Sequence, residues 1–400
     1  MKDASGWEKR FDRFVAPFVE AWRHKKRRHW APLYLRGLLL PGERKSIEPL
    51  AARVAPGHDQ ELRHFVSESA WDEEAIEQVL LDKADAMLGG NDAMLIVDDT
   101  ALPKKGTESV GVAHQYCGAL GKQANCQSLV SLTLAKDDVP LPISLRLYLP
   151  EAWAADRDRR AKVGVPDDVT FRPKWRIALD EVRRLKKQGV RFGTALADAG
   201  YGICADFRRG LTDEGLLWAV GIISEQKLYP VNARSRMPRP ARVGPRPKRA
   251  IPTHARRSAK EIIAQRGEKA WRRLSWRDGT KGPLEAEFIA VRVRAADGPE
   301  TRDRVHLPGD QAWLVAERRH NGETKYHLTN HPADASLKTL ATAIKARWSC
   351  EQAHQQLKEE LGLDHFEGRT WRGLHHHALM TLICFAFLQQ ERLRENKSAA

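Results

Sequence analysis

The stretch from Met94 to Ile222 constrains the fold more than any other. It opens with "MLIV", an apolar run short enough to be a buried strand, which leads straight into Asp98 and Asp99. Two more β-type segments, "CQSLVSLTLA" and "LPISLRLYLP", are separated by "KDDVP", whose turn residues predict a hairpin. The period then changes. "KWRIALDEVRRLKKQG" reads as a helix with Gly189 just past its end, and "RFGTALAD" as a strand stopping at Asp198. "ICADFRRGLTDEG" is helical again and "LLWAVGI" is a strand. Three strands followed by α/β alternation predict an α/β fold, β-β-β-α-β-α-β in order.

The flanks differ in texture. In residues 1–90, Trp7, Phe11, Phe14, Val15, Phe18 and Trp22 recur at three- and four-residue steps, which predicts an amphipathic helix. It runs into "RHKKRRHW", a basic cluster expected at a helix end, either complementing the dipole or contacting phosphate. "WDEEAIEQVLLDKADAML" predicts a further helix, so this part reads as a helical, DNA-binding domain. Core residues follow over 91–224. Between Glu225 and Glu261 there is no acid, while Arg and Lys recur through "NARSRMPRPARVGPRPKRAIPTHARRSAK". Such a segment cannot pack as a core and is expected to be an extended arm that clamps on phosphate. Strands "AEFIAVRVRA", "QAWLVAERR" and "TKYHLTN" complete a basic, β-rich insertion over 225–332. Two helices, over 335–361 and 371–393, are expected in the closing part, 333–400.

Charge narrows the partner. Lys and Arg number 67 against 52 acids, and the excess of 15 positive charges favours a polyanion. No apolar run reaches the roughly 18 residues that span a bilayer, and "HALMTLICFAFL" reads as a core helix. The N-terminus shows no secretory signal, and five Cys without a CxxC pair fit a reduced, cytoplasmic compartment without a structural zinc site. Cys117 and Cys126 read as core thiols. Consecutive helical residues point about 100° apart, so His375, His376 and His377 are expected to be structural or close to DNA rather than to share a metal.

The acids carry the chemistry. Asp98 or Asp99 after "MLIV", and Asp198 after "TALA", are expected at the carboxyl ends of neighbouring strands, where such groups converge on one crevice. Carboxylates brought together repel unless divalent cations offset them, and oxygen ligands select hard cations such as magnesium. With a basic chain this points to two-metal phosphoryl transfer. A third acid is sought on "SLKTLATAIKARWSCEQAHQQLKEELG", where Arg347, Glu351 and Lys358 fall within about 40° on one helix. The simpler reading is an Arg347–Glu351 salt bridge on a solvated face. Glu359 and Glu360 point elsewhere.

The blocks "IVDDTALPKKGTESVGVAHQYCGALGKQANCQSLVSL", "LADAGYG" and "RWSCEQAHQQLKEELGLDHFEGRTWRGLHHH" closely resemble the DDE transposases of bacterial insertion sequences, nearest the insertion sequence 701 branch, which is related to the insertion sequence 4 group. The resemblance implies an RNase H-like core of mixed sheet and flanking helices with a β-rich insertion. It places the first acid before a Thr, at Asp99, the second at Asp198 and the third at Glu351, all three as catalytic metal ligands. Arg347 and Lys358 match the family's basic positions, while its Tyr position is Ile344, a departure. Lys104, Lys105 and Lys122 beside the first acid, and Arg246, Lys248 and Arg249 in the arm, are expected to contact DNA. The implied cofactor is two Mg2+ ions, with Mn2+ as substitute. The implied partners are double-stranded DNA, at element ends and target, and a second copy on DNA, with no membrane. The expected location is the bacterial cytoplasm, at the nucleoid. Two alternatives stay open: a domesticated or inactive DNA-binding descendant, and an RNase H-like nuclease without strand transfer.

Overall fold

The computed structural model describes residues 4–239, 248–279, 282–301 and 304–399, and the chain divides into two units, Met1–Gly193 with Trp348–Ala400, and Thr194–Arg347. The first unit opens with five helices: α1 (Ala4–Ala21), α2 (Lys25–Leu39), α3 (Ile47–Val54), α4 (Asp59–Ser67) and α5 (Glu73–Leu88). The aromatic stripe of α1 behaves as its spacing predicts, with Phe11, Phe14, Val15 and Phe18 buried. The basic cluster does not. The chain turns at Arg23, where φ is 52°, and α2 starts at Lys25, so the Lys25–Arg28 run fills the first turn of a helix rather than a last turn. Cations there face the positive end of the dipole. The dipole-complementing reading of this cluster is therefore wrong.

Strand β1 (Met94–Pro103) corrects a second expectation. It does not stop at the acids, because β3 (Lys122–Lys136) pairs antiparallel with its whole length, from Met94 opposite Ala135 to Pro103 opposite Cys126. Asp98 and Asp99 thus lie in mid-strand. A short strand β2 (Ala113–Cys117), not foreseen, pairs with the start of β3, and Cys117 and Cys126 are buried there beside Ala101. The hairpin to β4 (Val139–Leu147) forms as expected: Asp137 and Asp138 take φ of 49° and 64°, the two left-handed residues of a tight turn. Helices α6 (Glu151–Ala155) and α7 (Arg157–Val163) precede α8 (Lys174–Lys187), and Gly189 beyond α8 has φ of 89°.

The second unit begins with β5 (Thr194–Ala197), then α9 (Ala199–Gly202) and α10 (Ala205–Asp213), and β6 (Leu217–Ile222), which runs parallel to β5. The expected insertion is β-rich. Its strands are β7 (Lys227–Pro230), β8 (Ser235–Arg236), β9 (Ile251–Pro252), β10 (Arg257–Ser258), β11 (Arg272–Gly279), β12 (Gly282–Ala295), β13 (Gln311–Arg318) and β14 (Thr324–Thr329), with α11 (Ala259–Ala264) after β10. They are not a separate sheet. β14 pairs antiparallel with β6, so the order is β10-β7-β12-β13-β14-β6-β5, with β11 also on β12. The two-stranded β8–β9 pair closes the base of the basic arm.

The helix expected over 335–361 is two helices, α12 (Leu337–Lys345) ending the second unit and α13 (Trp348–Glu359) in the first. In one helix, Glu351 would stand seven residues from Ile344 and share its face. Ile344 is 7% exposed and Glu351 is exposed, which the break permits. The last helix, α14 (Trp371–Ala399), is longer than expected. Its apolar run is a core helix: Met380, Ile383 and Phe385 are buried, and the Phe387 ring lies 5.4 Å from each of Trp7, Phe11 and Phe14. Among the described residues no helix is long and apolar enough to cross a membrane.

Candidate active site

Residues alternate along β1, so Asp98 and Asp99 address opposite faces of its sheet. Asp99 is opposite Val130 and faces α8. Lys174 Nζ, from the first residue of α8, donates to its Oδ2 at 2.5 Å. Both side chains are about a third exposed, at 31% and 30%. The same ammonium lies 5.3 Å from the Tyr148 ring centre. Lys174 is a site residue that the sequence reading missed. A signal was present: a Lys opening a helix whose first turn has no acid stands against the dipole and needs a carboxylate elsewhere.

Asp98 is opposite Ser131 and faces α13. Its Oδ2 accepts from the Cys350 thiol at 3.2 Å, and its Oδ1 from the backbone N–H of Asp99 at 2.8 Å. Glu351, next to Cys350, is exposed in the first turn of α13, where the dipole favours negative charge, and Lys358 lies in the last turn. Arg347 lies in the turn between α12 and α13, so the single-helix projection that grouped it with Glu351 and Lys358 does not apply.

Asp198 follows β5 in the second unit and caps α9, its Oδ1 accepting from Tyr201 N–H at 3.3 Å. Close backbone approach explains the adjacent glycines: a Cβ on Gly221 of β6 would come within 2.8 Å of Ala199 N. The structure thus places Asp99 and Glu351 in the first unit and Asp198 in the second.

The flanking bases separate by environment. Lys104 donates to the Phe366 carbonyl at 2.7 Å, and burial pulls its ammonium below the usual lysine range, so its charge ties two segments together. Lys105, Lys122, Lys248 and Arg249 are exposed, and Arg246 lies outside the described residues. The three histidines are structural. His377 bridges Tyr34 Oη at 2.8 Å and the Gly362 carbonyl at 2.9 Å, and burial depresses it to about 4. His376 stacks on Trp71 at 3.7 Å, and His375 bonds the Trp371 carbonyl.

The chain is 29% identical over 160 residues to a protein of Microchaete diplosiphon described as a probable transposase for insertion sequence element IS701, a match covering 40% of this chain and 39% of that one. The chain therefore spans about two fifths of the length of that curated relative. Among solved structures it is similar to a piggyBac transposase synaptic complex with hairpin DNA, at a TM-score of 0.43 and 10% identity, covering 94% of this chain and 67% of that one. It is also similar to a Drosophila P element transposase strand transfer complex, at a TM-score of 0.17 and 11% identity, covering 46% and 36%. At those scores neither structure bears on the reading of this chain. The match that does bear on it spans residues 17–283, includes Asp99 and Asp198 and ends before Glu351. Its description is DDE superfamily endonuclease, a divalent-metal-dependent group whose RNase H-like α/β class agrees with the antiparallel strands β1–β4 followed by alternating helices and strands from α6 to β6. With two thirds of its length inside that match, the chain belongs to the DDE superfamily of endonucleases.

Proposed function

We propose that this chain is a transposase of the insertion sequence 701 type, cleaving DNA at the ends of its element and joining the freed 3′-hydroxyl to target DNA. The observation that carries the reading is a partly exposed carboxylate, Asp99, fixed in mid-strand and already holding a cation, the Lys174 ammonium at 2.5 Å. That ammonium stands where positive charge is needed. The oxygen-only donors Asp99, Asp198 and Glu351 suit a hard divalent ion, so these three would hold two Mg2+, or Mn2+. Bound there, such ions supply Lewis-acid charge for in-line phosphoryl transfer.

The chain's own groups do the rest. Without an ion Lys174 occupies Asp99, and an arriving ion would displace it. Arg347, Lys358, Lys105, Lys122, Lys248 and Arg249, with Arg246 in the arm, serve as phosphate contacts, and the helical segment 1–90 and insertion 225–332 as DNA-binding parts. In the first unit, a cleft of about 1250 Å³ has Lys26, Arg27 and Arg63 on its lining together with Asp59, Glu61 and Glu68, and a phosphate backbone would engage its basic side at the start of α2. It explains cations in the first turn of α2, where the dipole disfavours them but attracts anions. A second copy bound on the DNA, at the nucleoid of a bacterial cytoplasm, completes the reading.

The test uses a duplex carrying the inverted repeats that flank the gene. Wild-type protein with Mg2+ should cut at the repeat ends and join pre-cut ends to a plasmid. Cutting without joining would leave a nuclease, and binding without cutting in Mg2+ or Mn2+ a domesticated protein. Lys174→Met removes a competitor for Asp99 worth about 1 kcal/mol. It should lower the Mg2+ concentration for half-maximal cutting by roughly fivefold, measured by metal titration under single-turnover conditions. An unchanged or raised requirement would show that Lys174 does not compete for Asp99.

A further inference from the structure

We infer that the first unit carries a second metal site, selective for zinc-like ions and distinct from the carboxylate site, formed by Asp98, Cys350 and His354. One ligand atom from each lies within 4.8 Å of the other two. Cys350 and His354 are one helical turn apart on α13, the i,i+4 spacing that aims two ligands at one ion. Both are buried, and Asp98 at the rim is partly exposed, which gives an ion a way in. Ser131, opposite Asp98 in β3, donates to the Asp98 carbonyl at 3.2 Å and has its Oγ 2.7 Å from His354 Nε2, supporting the cluster from below. Thr100, two residues along the same face of β1, is 2% exposed, and its hydroxyl lacks a hydrogen-bond partner among the described residues. That face thus holds a polar group unused by the protein's own bonds.

The donor set decides the ion. A thiolate, an imidazole and one carboxylate match Zn2+ and Co2+ and do not match Mg2+, which demands oxygen and near-octahedral geometry. Three protein ligands with an open fourth position are a common zinc arrangement. Ligands of a tetrahedral ion stand about 3.5 Å apart, from metal–ligand distances of about 2.0–2.3 Å; Cys350 Sγ and Asp98 Oδ2, at 3.2 Å, already stand within that span, and the other separations lie within 4.8 Å. Binding is balanced by one proton: the thiol hydrogen now shared with Asp98 Oδ2 leaves to solvent, and the neutral imidazole ligates through one ring nitrogen and keeps its proton on the other. The ion would then pin α13 to β1 at positions adjacent to Glu351 and Asp99.

Cobalt reports the site directly, because thiolate ligation gives a charge-transfer absorption that carboxylates cannot produce. The protein, freed of metal by chelation, should form that band with one thiolate-ligated Co2+ per chain, and Zn2+ should displace it. Cys350→Ser keeps a hydroxyl for Asp98, so folding is preserved, yet should abolish the band. His354→Asn should weaken binding at least tenfold. Asp99→Asn and Glu351→Gln should leave the band and its amplitude unchanged. No band in the wild type, a band that survives Cys350→Ser, or a band lost in Asp99→Asn would each overturn the assignment. None of these readouts needs DNA or turnover, so they stand apart from the proposed function.

Discussion

Asp99→Asn and Glu351→Gln are each expected to slow metal-dependent strand cleavage by roughly a thousandfold or more, while Asp98→Asn stays within about tenfold of wild type. An amide matches a carboxylate in shape but presents no anionic oxygen to a hard cation, so the loss is electrostatic rather than steric. At Asp98 the same change is mild for a visible reason. Its carboxylate faces α13 and accepts from Cys350 and from the Asp99 N–H, and an Asn carbonyl can keep one of these bonds. Single-turnover cleavage of end-bearing duplex, with DNA binding measured separately, reads the result. The opposite pattern, an inactive Asp98→Asn beside an active Asp99→Asn, would move the metal ligand to the acid on the α13 face. That outcome has a structural rationale, since Asp98 is the member of the pair that touches the helix of Glu351, whereas the choice of Asp99 rests on its place before Thr100.

Local pattern revealed the elements and missed what tertiary pairing decides. The α1 stripe, the Asp137–Asp138 turn and the stop at Gly189 are set by residues within a few positions of one another, and all were legible. The extent of β1 was not. Two acids after an apolar run look like a strand end, and only pairing with β3 carries the strand through them to Pro103. The break between Lys345 and Trp348 had no signal in composition, because "IKARWSCE" contains neither Gly nor Pro. It could be inferred only from burial, which follows Leu340 and Ile344 in one helix and Cys350, Ala353, His354 and Leu357 in the next. Distant partners were equally silent. Asp99 and Lys174 are 75 positions apart and Asp98 and Cys350 are 252 apart, so spacing could not reveal either pair. The acids proposed as metal ligands were picked out by motif, but the groups that hold Asp98 and Asp99 were not.

Arg146→Leu is expected to destabilise the first unit by about 3–5 kcal/mol, because it strips the shared cation from a largely buried network. Arg146 of β4 holds Glu77 of α5 through Nη1 and Nη2 at 2.6 and 2.7 Å, and Glu181 of α8 through Nε at 3.1 Å. Arg184 bonds the same two acids at 2.9 and 2.8 Å, and the Ser144 hydroxyl donates to Glu181 at 2.6 Å. The acids' side chains are only 12% and 11% exposed, so a carboxylate left with half its positive charge cannot turn to water. The network joins a helix on the N-terminal side to the hairpin and to α8, whose first residue is Lys174. Its loss should therefore loosen the Asp99 contact as well as the fold. Acid titration supplies an independent check. The two guanidinium groups hold the Glu181 carboxyl at about 2, against an ordinary 4.5, despite burial that opposes ionisation. A depressed carboxyl stabilises the fold fully above its unfolded value and loses that contribution as pH falls from about 4.5 to about 2. The shift corresponds to about 3 kcal/mol. Denaturant melts of the wild type should therefore weaken across that window. Glu181→Gln should start less stable at neutral pH and show a flatter acid limb, and an identical slope in both proteins would mean that other carboxylates govern acid unfolding.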